Sequence, residues 1–193
     1  MSAPKDEVVF SWEWLLLDKP SIEILSYLLL NGGRFAGSTT ALCDALGRSN
    51  NTESICVRQE SINKLCAAGA VSHKQLSKRR FEICLVPPSE EKQIRIERQH
   101  LENIQRRRYD RSVAWQQVLK VYLWLKAWGG PVEFTMNDIA VVLGVSKDTV
   151  SSAVRVLADH YGAMTTKPTY FPSAKEIRRK GTEANLSAFW LNN

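Results

Sequence analysis

The most regular pattern of apolar and polar positions lies in residues 134 to 164. Thr135 is a typical helix cap with Asp138 three residues later, and apolar residues then follow at helical spacing. Gly144 ends this first helix, and Ser146 can cap a second one. The pattern therefore predicts two short amphipathic helices joined by a tight turn. Their apolar faces are Ile139, Ala140 and Leu143 in the first, and Val150, Val154 and Leu157 in the second.

The outer face of the second helix carries small polar and basic side chains, the types that bind base edges and phosphates. A helix, a turn with glycine and a capped second helix resemble the helix-turn-helix of bacterial DNA-binding proteins, whose second helix enters the major groove. A generic pair of core helices is the alternative interpretation. The resemblance implies that the DNA-contacting residues are Lys147, Thr149, Ser151, Ser152 and Arg155.

A similar pattern occurs earlier in the chain. Without a gap, residues 22 to 47 align with residues 119 to 144, and both segments contain a double glycine. Both also place a hydroxyl residue, Ser38 or Thr135, before the next helix. After Gly47 the first copy has about five more residues, which either lengthen the turn or extend its third helix. The repeat indicates two modules of one fold.

Each copy then becomes extended. Residues 70 to 76 and 81 to 86 alternate around a basic turn, which predicts a β-hairpin. In the second copy, residues 164 to 167 lead through a longer segment to a closing strand at 186 to 191. This order of elements resembles winged-helix domains, whose hairpin, or wing, contacts the phosphate backbone or a minor groove.

The winged-helix resemblance implies further DNA-contacting residues in both copies. The wings would contribute Lys78, Arg79 and Arg80 in the first copy, and Lys175, Arg178, Arg179 and Lys180 in the second. The third helix of the first copy would contribute Arg58, Gln59, Asn63 and Lys64.

Two segments lie outside the copies. Residues 1 to 20 are apolar and aromatic, and their pattern fits either a strand or a short helix. Residues 87 to 111 are charged with sparse apolar positions, which predicts a helical linker, with a dimer-forming helix as the alternative. We therefore expect a mainly α fold with small β-hairpins and two winged-helix domains, at 1 to 86 and 112 to 193.

Composition and charge narrow the function classes. The net charge is +6, and residues 61 to 86 hold five Lys or Arg against one acidic residue, so a polyanionic partner is favoured. No apolar run reaches the length of a bilayer span, which predicts a soluble, cytoplasmic protein without a membrane partner.

Catalytic and metal sites are not predicted. The three histidines, His73, His100 and His160, are far apart in sequence, and the double glycines lack the pattern of a phosphate-binding loop. The four cysteines form no CxxC pair, so buried free thiols are favoured over a zinc site. We expect neither an enzyme nor a cofactor.

The sequence therefore predicts sequence-specific binding of double-stranded DNA, in the manner of a transcriptional regulator, with homodimerisation as an option. A plasmid or phage replication or partition initiator with tandem winged helices is the first alternative. A winged-helix protein adaptor is the second. A DNA-binding protein should present Lys147, Arg155, Arg178 and Arg179 on one continuous positive face, which an adaptor does not need.

Overall fold

The chain divides into two compact units, Met1–Arg107 and Arg108–Asn193, in the computed structural model. The structure describes residues 6–106, 113–128, 132–161, 164–166 and 187–191. Each unit combines helices with a small antiparallel sheet, so the fold class is mixed α and β. Within the described residues, no helix is both long and apolar enough to cross a membrane.

The first unit contains two sheets. Three strands form an antiparallel sheet in the order β2-β4-β3, and β1 pairs with β5 in a separate two-stranded sheet. Two short 3-10 turns, at Trp12–Leu16 and Glu90–Lys92, precede α1 and β5. In chain order the elements are β1 (Glu7–Ser11), α1 (Lys19–Leu30), β2 (Arg34–Gly37), α2 (Thr39–Ala45), α3 (Thr52–Ala67), β3 (Val71–Ser77), β4 (Arg80–Leu85), β5 (Gln93–Glu97) and α4 (Arg98–Arg106).

Helix α1 lies at the centre of the first unit and contacts α3, β4 and α4. The carboxylate of Asp18 caps it by accepting a hydrogen bond from Ser21 N–H, and Pro20 occupies the first turn, where it removes no helical hydrogen bond. Burial around most of its circumference then holds the helix in place. Its fully buried apolar side chains are Ile22, Ile24, Leu25 and Leu28.

The sequence of the N-terminal segment fits either a strand or a short helix, and residues 7 to 16 form a strand followed by a 3-10 turn. Strand β1 buries Val8 and Phe10 and is followed by the 3-10 turn, in which Trp14 is buried against Phe10. Trp12 breaks the apolar alternation and is exposed. The switch from strand to turn therefore keeps Phe10 and Trp14 in one core.

Of residues 87 to 111, for which the sequence predicted a helical linker, the structure describes 87 to 106, which contain a strand ahead of a helix. Gln93–Glu97 is a strand paired with β1, in a register that sets Ile96 opposite Val8 and Ile94 opposite Phe10. Helix α4 follows and buries Leu101 and Ile104. The sparse apolar positions of this segment thus contribute to the core of the first unit, because a two-stranded sheet needs a covered apolar face to be stable.

The second unit repeats the element order of the first from α1 to β4. Its elements are α5 (Trp115–Trp128), β6 (Val132–Phe134), α6 (Met136–Leu143), α7 (Lys147–Tyr161), β7 (Met164–Thr166) and β8 (Ser187–Leu191). The strand order of its sheet, β6-β8-β7, also matches β2-β4-β3. The predicted closing strand at 186 to 191 is confirmed, with Thr166 opposite Phe189.

The aligned copies agree in their turns as well. Ser38 and Thr135 are both helix caps, and Gly47 and Gly144 both have positive φ angles, of 65° and 63°. In the first copy the additional residues lengthen the turn, since α3 begins only at Thr52, after the capping residue Asn51. The sequence repeat therefore corresponds to a structural repeat with a longer turn in its first copy.

Candidate nucleic-acid interface

A reciprocal hydrogen-bond pair fixes the start of α6. Asp138 N–H donates to the Thr135 hydroxyl oxygen at 3.1 Å, and Thr135 N–H donates to the Asp138 carboxylate at 2.9 Å. The Thr135 hydroxyl also donates to this carboxylate, and these hydrogen bonds lower the pKa of Asp138. The predicted helix cap at Thr135 is confirmed, and its reciprocal hydrogen bonds with Asp138 form a capping box that sets where the helix pair begins.

The turn between α6 and α7 depends on Gly144. Its left-handed backbone lets Val145 N–H donate to Ala140 C=O at 3.0 Å, which closes the C-terminus of α6. Ser146 then caps α7, because its hydroxyl accepts from Thr149 N–H at 3.1 Å. The predicted two-helix arrangement is confirmed by these contacts.

Helix α7 has one buried and one exposed face. Its packing against α5 and α6 holds the exposed face in a fixed orientation. Lys147, Asp148 and Arg155 are exposed, whereas Ser151 and Ser152 are half-buried. Such a face can donate hydrogen bonds to phosphates and base edges. The buried residues are Val150, Ala153, Val154 and Leu157, of which the sequence pattern missed only Ala153.

Thr149 lies in the first turn of α7, as the sequence predicted, and its side chain also takes part in the helix cap. Its hydroxyl lies 2.8 Å from the Ser146 hydroxyl, and its side chain is half-buried. The hydroxyl therefore belongs to the helix cap. Base contacts from α7 would then fall to Ser151 and Ser152, whereas the exposed Arg155 would contact phosphate.

Arg58 was predicted to contact DNA from the third helix of the first copy, but it is buried inside the first unit. Its guanidinium lies 2.9 Å from the Glu23 carboxylate, and both side chains are less than a tenth exposed. Arg58 also donates to Pro20 C=O. The reason is helical spacing: Arg58 shares the inner face of α3 with Ile62 and Leu65. Arg58 is therefore a core residue.

Arg48 completes a three-residue ionic cluster with Glu23 and Arg58. Its Nε donates to Glu23 at 3.0 Å, and its Nη2 contacts the same carboxylate oxygen. Arg48 belongs to the lengthened turn between α2 and α3, whose Asn50 side chain donates to Asp44 at 2.5 Å. The cluster links this turn to α1 and explains why Glu23 is buried among leucines.

Lys64, also predicted to contact DNA, forms ion pairs with two carboxylates within the first unit. Its ammonium lies 2.6 Å from both Asp18 and Glu60, and hydrogen bonds to these two carboxylates raise the pKa of Lys64. Although burial alone would raise the pKa of Asp18, its hydrogen bonds with Lys64 and Ser21 lower it overall. The positive charge of Lys64 is thus already balanced by carboxylates in the free protein.

The remaining predicted residues of α3 are exposed but uncharged. Asn63 faces solvent, and the Gln59 amide oxygen lies 3.5 Å from the Thr39 hydroxyl. The rest of this exposed face includes Glu53 and Glu60. Because Arg58 is buried and Lys64 is paired, the outer face of α3 does not have the positive charge expected of a groove-binding helix.

The β3–β4 hairpin does carry exposed cations. Its predicted strands are confirmed, with Lys78 and Arg79 in the turn and Arg80 at the start of β4, all exposed. Lys74, on the neighbouring strand, is a further exposed cation that the sequence reasoning did not include. Alternation from the buried Val71 could have identified Lys74, since the two residues point to opposite faces.

The second basic cluster lies outside the described residues. Lys175, Arg178, Arg179 and Lys180 belong to residues 167 to 186, between β7 and β8. The described cations of the second unit's predicted interface are Lys147 and Arg155 on α7. The predicted continuous face with Arg178 and Arg179 therefore remains a prediction.

The cysteines are free. Cys43 is buried, Cys66 and Cys84 are half-buried, and Cys56 is exposed on α3, unlike the predicted buried thiols. Burial raises the pKa of the Cys43 and Cys66 thiols. Among the described residues, no group of three His, Cys, Asp or Glu side chains is arranged to hold a metal ion.

Comparison of the chain with protein-family models, with curated proteins and with solved structures finds no match.

Proposed function

We propose that this protein binds double-stranded DNA in a sequence-specific manner through two winged-helix modules and acts as a transcriptional regulator. The module in each unit would comprise a helix, a short strand, two helices and a hairpin. In this assignment α7 is the major-groove helix of the second module, and the β3–β4 hairpin, here called the first wing, is the wing of the first.

The observation that supports the proposal most strongly is the arrangement of α6, the Gly144 turn and α7. The turn and both caps are held by local hydrogen bonds, so the outer face of α7 is rigidly presented. Lys147 and Arg155 supply positive charge there beside the exposed Asp148, and Ser151 and Ser152 supply hydroxyl groups. The recurrence of the same element and strand order in both units adds further support.

A replication or partition initiator of a mobile element would use the same DNA-binding chemistry. A winged-helix protein adaptor is the other alternative, and the charge of α3 favours it. Two glutamates lie on the outer face of this helix, whereas Arg58 is buried and Lys64 is paired with two carboxylates. An acidic helix face is repelled by phosphates. The outer face of α3 thus fits a protein partner better than the outer face of α7 does.

Selection of bound sequences from a random duplex pool, with the full chain, tests the proposal. We expect one recurring motif and binding that weakens steeply with salt. Replacing Lys147 and Arg155 by Ala together should lower the log–log salt slope by about 1.8, since each phosphate contact contributes about 0.9. The matched control is Lys126→Ala, which removes an exposed cation from the end of α5.

Two outcomes would contradict the proposal. Absence of duplex binding even at low salt would favour the adaptor. Binding without an enriched motif would exclude sequence-specific regulation. If a motif is enriched, placing it upstream of a reporter or on a replicon without its own initiator separates the regulator from the initiator.

A further inference from the structure

At the tip of the first wing, one exposed apolar side chain stands among basic residues. Leu76 is 47% exposed, and the register of β3 on β4 shifts between Gln75 and Ser77, so Leu76 is left without a cross-strand partner. Leu76 and Lys74 are both exposed, and the bulge takes Leu76 out of the regular strand alternation. The adjoining turn contributes the exposed cations Lys78 and Arg79.

A side-chain hydrogen-bond bridge crosses the wing tip. The Gln75 side-chain amide donates to Ser77 C=O and, at 3.2 Å, to Arg80 C=O, so it bridges the two strands across the turn. Deeper in the hairpin, Phe81 packs against His73 and Phe35 with ring centroids 5.5 and 6.0 Å apart. The bridge restricts the conformations of the turn, which lowers the entropy cost when the tip binds a partner.

The charge of the hairpin selects the kind of partner. Glu82 is its sole carboxylate in the sequence, and it is half-buried and paired with Arg34 on β2. The cations at the tip thus attract a polyanion without a competing acid. An apolar side chain between cations suits a minor groove, where wedge residues enter between base steps while cations contact the flanking phosphates.

We propose that the first unit contacts duplex DNA with its wing tip instead of with α3, and that Leu76 is a wedge inserted into the minor groove at a deformable base step. This inference rests on the proposed DNA binding. It differs from the arrangement in the second module, because the outer face of α3 is acidic and its cations are committed to Glu23, Asp18 and Glu60.

The test uses the full chain and two labelled duplexes of equal length, one with repeated TA steps and one with a stiff A-tract. TA steps unstack easily, so a wedge should prefer the first duplex. Affinity is measured by fluorescence anisotropy, and 2-aminopurine beside a TA step reports unstacking. We expect Leu76→Ala to bind the TA duplex about fivefold to tenfold more weakly and to lose the 2-aminopurine signal.

Matched variants separate the wedge from other effects. Leu76→Ala should leave the salt slope unchanged, whereas Arg79→Ala should lower it by about 0.9. Leu16→Ala removes another exposed leucine of the first unit, 67% exposed on the 3-10 turn, and should change nothing. Leu76→Phe should restore the 2-aminopurine signal, since phenylalanine also acts as a wedge.

Three results would overturn the inference. Equal affinity and equal 2-aminopurine signal for Leu76→Ala would exclude the wedge while leaving duplex binding intact. A comparable loss of affinity in Gln59→Ala or Asn63→Ala would assign the contact to α3. No binding of either duplex by the unmodified protein would remove both this inference and the proposed function.

Discussion

The Arg58 guanidinium lies 2.9 Å from the Glu23 carboxylate inside the first unit, joining α3 to α1. The pair is almost fully buried, so each charge depends on the other to offset the loss of hydration. A cation that the sequence suggested for DNA contact thus stabilises the helix on which it lies.

Replacing Arg58 by Met should destabilise the protein by about 3 kcal/mol, because it leaves the Glu23 carboxylate buried with only Arg48 beside it. Urea unfolding of the full chain measures this change. The double variant Glu23→Leu with Arg58→Met should be more stable than Arg58→Met alone, since no uncompensated carboxylate remains.

Gln59→Ala is the control for Arg58, because the neighbouring side chain is exposed and uncharged. It should change the free energy of unfolding by no more than about 0.5 kcal/mol. An Arg58→Met variant with unchanged stability but weaker DNA binding would contradict the core assignment and return Arg58 to the interface.

The capping box of α6 should make part of the stability depend on pH. Hydrogen bonds from Thr135 lower the pKa of Asp138 below its ordinary value of 3.8, so the ionised carboxylate favours the folded state. This contribution is present above pH 3.8 and is lost as the pH falls through the lowered pKa. The stability difference between the unmodified protein and Asp138→Asn should therefore narrow on acidification.

Urea unfolding of both proteins between neutral pH and pH 3 measures that difference. Thr135→Ser keeps a hydroxyl at the cap and should preserve the pH dependence, whereas Thr135→Ala should reduce it. A stability difference that stays constant over the whole range would mean that Asp138 does not act through its charge.

The features that were predictable from sequence are those determined by neighbouring residues. Thr135 and Asp138 lie within one helical turn, and Gly144 ends α6 through its own backbone conformation. The repeat then transferred the same interpretation to Ser38 and Gly47. Caps, turns and short hairpins depend on local chemistry, which a sequence displays directly.

The features that were not predictable depend on residues distant in the chain. The pairing of Val8 with Ile96 joins the two ends of the first unit, and the brief apolar alternation around Ile94 also suits the start of a helix. Likewise, nothing near Arg58 in sequence indicates that Glu23 is its partner. Helical spacing thus places Arg58 on the inner face of α3, whereas the tertiary structure determines that Glu23 is its partner.

The two predicted DNA-binding lysines of the first unit should behave differently in a salt series. Lys64 is already paired with Asp18 and Glu60, so Lys64→Ala should leave the salt slope of DNA binding unchanged. Lys78 lies in the turn of the first wing, and Lys78→Ala should lower the slope by about 0.9. Equal changes in the salt slope for both variants would show that the ion pairs of Lys64 do not keep it from contacting DNA.

The last prediction concerns two residues of α7: Ser152 should affect the preferred DNA sequence, and Thr149 should affect the stability of the protein. Ser152 lies opposite the buried face of the helix, so Ser152→Ala should change the preferred sequence, by about 1 to 3 kcal/mol for each base contact altered. The Thr149 hydroxyl is 2.8 Å from the Ser146 hydroxyl, within the helix cap. Thr149→Val should therefore lower stability modestly and retain the same motif. Selection from a random duplex pool, together with urea unfolding, measures both effects. If Thr149→Val changes the motif while Ser152→Ala does not, the base-reading surface of α7 lies on its Thr149 side.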